Sequence, residues 1–413
     1  MYRYLVAVVL LTPLIGIWLV EGGEFAASFG VAGYENGAST AFAAYALTVA
    51  VVAWLFAGRP RAELLLPARR RQADANLQVF GSNLLVVSAV FLAVFLFGFG
   101  AIKVWSGAVG KGEFRVGLGP LGAVPNLMTK FIMPALLAYA AALYRKSSRS
   151  AGLRRLLGAN FALVFMIGAS WGFKSTAFLV LMPALLIIYW RIRVATLVKL
   201  ALAFMLSLTT FFFLFDAGVE ESADAQSFLF RRITVLQGDV SWFMWDQYQS
   251  GEVFPNYWPT LLAAFGDKFL GLAGLAREDF YTWTLYHYDL MITYLAGAPL
   301  YQIEEGHSIT ATPFSEGLVA GGLVGVAFFA VLAGLLVGRL HAFIQCSLAR
   351  GRDARAAIAA TYFCFHVFSW LNGGAVVQLF HISVWFSLAA TVLAFKLMRR
   401  LELGRSTPLP VPA

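Results

Sequence analysis

Residues 80–101 read FGSNLLVVSAVFLAVFLFGFGA, twenty-two positions without one charged side chain. At about 1.5 Å of helical rise per residue, such a run spans the roughly 30 Å hydrocarbon layer of a bilayer. Lipid offers no partner to a backbone N–H or C=O, so the run is predicted to be a transmembrane helix. Comparable stretches lie near 3–20, 39–57, 124–144, 155–172, 175–190, 195–215, 317–338, 356–371 and 375–396, which predicts about ten spans. Composition agrees: 60% of the chain is apolar and 13% is charged, against about a quarter charged in soluble domains. The expected fold class is all-α and polytopic, with residues 1–413 as a single integral membrane domain. Met1–Val20 is expected to stay as a first helix, because Glu21-Gly-Gly-Glu24 stands where a signal peptidase would need small residues.

Charge orients the spans. Arg3 and the segments Arg59–Arg71, Arg145–Arg155, Arg191–Lys199, Arg339–Arg355 and Lys396–Arg405 hold 22 of the 31 Lys and Arg. The positive-inside rule makes these segments cytoplasmic and puts both termini inside. The net charge of +9 therefore belongs to cytoplasmic loops, and nucleic acid is not an expected partner. Nine cations remain for the outer side: Lys103, Lys111, Arg115, Lys130, Lys174, Arg231, Arg232, Lys268 and Arg277.

Between the seventh and eighth spans lies an exported loop, 216–316, too long for a simple connection. Tyr257–Gly274 within it has apolar residues near helical spacing, as an interfacial helix would. An aromatic tract follows that includes Trp283, Tyr286 and Tyr288. These rings suit stacking on sugar faces, and equally a belt at the lipid interface.

Several residues are candidates for chemistry. Lys174, in the turn Gly172-Phe-Lys-Ser-Thr176, could hold a phosphate or pyrophosphate with help from Ser175, or could simply snorkel to water. Lys130 lies inside the fourth span between Pro125 and Pro134, where a kink could turn the cation inward. Arg231 and Arg232 could grip two phosphoryl groups, or could be a solvated pair. Glu316, at the mouth of the eighth span, is placed either as a general base or as a carboxylate favouring the helix N-terminus. His307 is a second candidate base. Gly317, Gly321, Gly322 and Gly325 form a smooth stripe for close helix packing. Asp-x-Asp, Gly-x-x-x-x-Gly-Lys and His-Glu-x-x-His are absent, so neither a metal nor a nucleotide cofactor is expected.

The turn Gly172–Thr176 and the segment Thr312–Gly325, with Pro-x-Ser-Glu leading into a Gly-rich helix, resemble the Wzy-type O-antigen or exopolysaccharide repeat-unit polymerases. The resemblance also covers the topology of the whole chain. It implies a GT-C-like fold with the large loop in the periplasm, in the bacterial inner membrane. It further implies a glycosyltransferase that moves a growing glycan from undecaprenyl pyrophosphate to the non-reducing end of a lipid-linked repeat unit. Expected partners are that oligosaccharide, the membrane lipids and a chain-length regulator. Lys174 matches the basic residue of the family's turn and Glu316 the acid before its Gly-rich helix; the family often has arginine in the turn. An O-antigen ligase acting on lipid A-core and a lipid-linked oligosaccharide flippase remain alternatives.

Overall fold

A computed structural model describes residues 1–26, 28–58, 67–172, 174–192, 195, 196, 199, 235–252 and 312–403. Apart from a two-residue hairpin that pairs Phe25–Ala26 with Val31–Ala32, its regular elements are helical. Seven helices among the described residues are long and apolar enough to cross a membrane: Tyr2–Glu21, Ala38–Phe56, Arg71–Gly98, Gly119–Lys146, Ala151–Ala169, Pro313–Ala349 and Val376–Met398. The chain is a multi-pass membrane protein.

Three of the ten expected spans fall outside this set. The segment predicted at 175–190 is a pair of short helices, Lys174–Leu179 and Met182–Ile188. Its apolar part covers only Thr176–Ile188, too short for a full crossing. The segment predicted at 356–371 is helical from Asp353 to Gly373, yet His366, Ser369 and Asn372 leave it less apolar than the seven. The segment 195–215 lies mostly outside the described residues, as does most of the loop 216–316, including the Tyr257–Gly274 helix.

The chain divides into two compact units. The first comprises Met1–Leu55, Tyr189–Leu336 and Trp370–Val377. Its core packs Phe42 edge-on to Phe314 at 5.3 Å, beside the buried Ile17, Val20 and Trp242. The helix Asp239–Gln249 is tied to the connection after the first span: Trp242 Nε1 donates to the Tyr34 carbonyl at 3.1 Å and Trp245 Nε1 to that of Asn36 at 3.0 Å. Asp246 accepts from the Tyr34 hydroxyl and from Asn36 Nδ2. The charge rule expects both partners of this junction on the outer side.

The second unit comprises Phe56–Ile188, Val337–Ser369 and Gln378–Ala413. Its centre is the helix Met133–Lys146, whose Ala135, Ala138, Ala140 and Ala141 have no exposed surface. Small side chains let neighbouring helices approach closely, which is how helices associate in lipid. Gly81 serves the same purpose where Asn160 Nδ2 donates to its carbonyl at 3.0 Å. The basic loops of this unit meet: Lys146 pairs with Asp353 at 2.7 Å, Ser148 N donates to Asp74 at 2.7 Å, and His341 Nδ1 lies 3.2 Å from the Ala57 carbonyl. The Lys146–Asp353 pair joins two segments that the charge rule expects on one side.

Candidate functional site

Glu316 opens the helix Pro313–Ala349, and this helix is not continuous. Gly321 (φ −177°, ψ 26°) and Gly322 (φ 61°, ψ −140°) break it, and the arm 313–320 folds back on the start of 323–349. A side chain at Gly317 would lie 2.6 Å from the Val326 Cα, and one at Gly325 would overlap the Gly317 carbonyl. The glycine stripe therefore does pack against a helix, but that helix is the next turn of its own chain. The expected span 317–338 is corrected accordingly to a folded-back arm followed by a helix over 323–349. Only glycine adopts the conformation of residue 322 without strain, and Tyr248 fills the space beside it.

The fold-back buries Glu316 completely. Its Oε2 accepts from Trp370 Nε1 at 2.7 Å and its Oε1 from the Val376 amide at 2.6 Å. That amide is presented by a left-handed turn in which Gly374 has φ 70° and Ala375 φ 62°. A Cβ in this region costs about 1–2 kcal/mol. Ala375→Gly is therefore expected to raise the stability of the purified protein by about 1 kcal/mol, measured as a rise in its thermal midpoint.

Beside the carboxylate lies Tyr45, close enough to feel its charge. The Tyr45 hydroxyl is buried and has no hydrogen-bond partner among the described residues. At the arm's first turn three buried hydroxyls form a chain: Ser315 Oγ donates to Ser241 Oγ at 3.1 Å, and Ser241 Oγ lies 2.9 Å from Thr312 Oγ1. Nearby in sequence, Asp239 is also buried, and burial pushes its carboxyl above the usual carboxylate range despite amide donors from Ser28 and Val240. The first unit thus offers a desolvated carboxylate, a free phenol and a run of hydroxyls, groups able to orient and deprotonate a hydroxyl-bearing ligand.

The other sequence candidates are distributed differently. Lys130 belongs to the second unit, in a π turn, Met128–Ile132, inside the span Gly119–Lys146. The irregularity expected between Pro125 and Pro134 is this turn. Lys174 and Ser175 begin the helix Lys174–Leu179, and their side chains lie outside the description. Arg231, Arg232, Trp283, Tyr286, Tyr288 and His307 are outside the described residues. Sequence reasoning missed Trp370, the Val376 amide, Tyr45 and His366. The dipeptide Gly373-Gly374 was a usable signal for the turn that delivers the amide; Tyr45 and His366 are single polar positions inside apolar runs, with no pattern to mark them. Among the described residues no three His, Cys, Asp or Glu side chains gather as metal ligands. Comparison with family models, curated proteins and solved structures finds no match.

Proposed function

We propose that the protein is a polysaccharide polymerase of the bacterial inner membrane, a glycosyltransferase that moves a glycan from undecaprenyl pyrophosphate to the non-reducing end of a lipid-linked repeat unit. What carries this reading is Glu316: a fully buried carboxylate on the first turn of a folded-back arm, beside a phenol with no hydrogen-bond partner among the described residues. The Pro-x-Ser-Glu-Gly sequence that resembles the polymerase motif is the sequence that forms this arm. In this reading Glu316, or His307, takes the proton from the acceptor hydroxyl, and attack opposite the leaving group inverts the anomeric centre. Lys174 with Ser175, Lys130, Arg231 and Arg232 neutralise the charge that develops on the departing pyrophosphate. Trp283, Tyr286 and Tyr288 stack on sugar rings. The reading places about ten spans in a GT-C-like arrangement, the loop 216–316 in the periplasm and both termini in the cytoplasm.

The test is incubation of the purified protein in detergent, without added metal, with an undecaprenyl-pyrophosphate-linked repeat unit, followed by a gel of the products. A ladder of glycan lengths that is lost in Lys174→Ala supports the polymerase. Transfer only to added lipid A-core makes the protein a ligase, and no covalent product with either acceptor moves the assignment to transport.

A further inference from the structure

The second unit contains a buried histidine whose ring is only half used. His366 lies in the π turn Phe363–Val367 and is 7% exposed. Its Nδ1 is 2.9 Å from the Gln378 carbonyl, and a carbonyl can only accept, so Nδ1 carries the hydrogen. The neutral ring then presents a lone pair at Nε2, and this atom is buried with no partner among the described residues. Phe131 stacks on the imidazole at 5.2 Å and 20°, and its sequence neighbour Lys130 lies near enough for its charge to act on the histidine. Lys130 has no hydrogen-bonded or ion-paired partner among the described residues, and the charge that acts on it is another cation, the exposed Arg115.

Other groups around His366 are accounted for. The Tyr362 ring is 5.2 Å away and its hydroxyl donates to the Leu379 carbonyl at 2.8 Å. Cys364 is buried on the same turn. The helix Met182–Ile188 packed against this region carries no titratable side chain, and the segment from Gln378 gives the Gln378 carbonyl to His366 and the Leu379 carbonyl to Tyr362, while its His381 Nδ1 bonds Ser383. Two buried basic groups, each set in a π turn, and a third at the surface are thus gathered with no counter-charge paired to them among the described residues. Single π turns inside helices are frequent at functional sites, and an ionisable residue inside a membrane span marks one by default.

We propose that Lys130 and His366, with Arg115 beside them, bind a phosphoryl anion that carries a proton. A fully ionised anion satisfies the ammonium of Lys130 but has nothing to give the Nε2 lone pair. A terminal phosphate with a second pKa of about 6 does both: one oxygen accepts from Lys130, and its O–H meets Nε2. If the proton crosses to Nε2, the phosphate gains the negative charge that the imidazolium balances, and no other bond changes. A carboxylic acid is too strong to retain that proton near neutral pH, and a phosphodiester has none. Resting on the polymerase reading, the ligand is the pyrophosphate left on the polyprenol after the sugar departs, with its newly terminal phosphate, and not the glycosylated donor.

The experiment is calorimetric titration of the full chain in detergent with inorganic pyrophosphate, from pH 6 to pH 8, in two buffers of different ionisation heat. Polyprenyl pyrophosphate and dimethyl phosphate are run in parallel. Binding of pyrophosphate with up to one proton taken up, weakening by at most about tenfold per pH unit, is the expected result. Tighter binding of the polyprenyl form identifies the lipid product as the source, and equal binding identifies free pyrophosphate; dimethyl phosphate does not bind. Lys130→Met weakens binding about tenfold at every pH, and His366→Gln abolishes the proton uptake. Thermal melts verify that both variants fold, and Lys130→Met alone decides the matter if His366→Gln does not. Absence of pyrophosphate binding, or unchanged binding in Lys130→Met, overturns the proposal; so does unchanged proton uptake in a folded His366→Gln. Proton-linked binding without a glycan ladder leaves this site standing and removes the polymerase reading, whereas a ladder that both variants make normally does the reverse.

Discussion

Glu316→Gln is expected to lower the stability of the protein by about 2–4 kcal/mol and, on the polymerase proposal, to abolish polymer formation. The stability effect follows from the hydrogen bonds alone. The carboxylate accepts from two different donors, the Trp370 indole and the Val376 amide, one on each oxygen. A glutamine can turn its oxygen to only one of them and must point its NH2 at the other. One buried donor is left unmatched, at about 1–3 kcal/mol, and the remaining bond loses its charge assistance. The melting curve reads this directly. Catalysis is separated from stability by Trp370→Phe, which removes one donor and leaves the carboxylate in place. This variant is expected to lose about 1–2 kcal/mol of stability and, on the polymerase proposal, to retain polymer formation. If Trp370→Phe and Glu316→Gln are equally inactive at a temperature where both are folded, Glu316 acts by holding the arm and not by taking a proton.

The second large effect concerns a single methyl group. Alanine in place of glycine in a helix usually stabilises it by up to about 1 kcal/mol. At Gly158, in the helix Ala151–Ala169, an added Cβ meets nothing, and Gly158→Ala is expected to follow that rule. At Gly325 the same change places a carbon over the Gly317 carbonyl, which belongs to backbone and cannot rotate away. Gly325→Ala is therefore expected to destabilise by about 3 kcal/mol and to loosen the arm that carries Glu316. Opposite signs in the two melts would establish the fold-back in solution. A stabilised Gly325→Ala would mean that the helix runs straight through residues 321 and 322.

Most spans were legible because length and apolarity are properties that a window average captures. The stretch at 80–101 became part of the helix Arg71–Gly98, 124–144 part of Gly119–Lys146, and 375–396 nearly all of Val376–Met398. What the average hides is local. Gly321-Gly322 lies in an apolar run and reads as a packing surface, since small residues let helices approach closely in lipid. The π turns at Met128–Ile132 and Phe363–Val367 leave no composition signal either, although the prolines flanking Lys130 gave a hint of the first. Glu316 was picked out because a carboxylate at a membrane mouth is conspicuous. Its partners were not, because a tryptophan 54 positions away and a backbone amide 60 positions away join it only through the tertiary fold.

The double glycine also bears on the parity of the crossings. Without a break, Pro313–Ala349 would be a rod of about 55 Å, far longer than a bilayer core is thick. If the surplus were instead counted as a separate crossing, every segment after residue 322 would change sides, and the basic stretch Arg339–Arg355 would be carried across the membrane. A hairpin avoids both outcomes. An arm that goes in and returns adds zero to the number of crossings, so it can bring an acidic side chain into the protein interior while the arginines downstream stay where the charge rule assigns them.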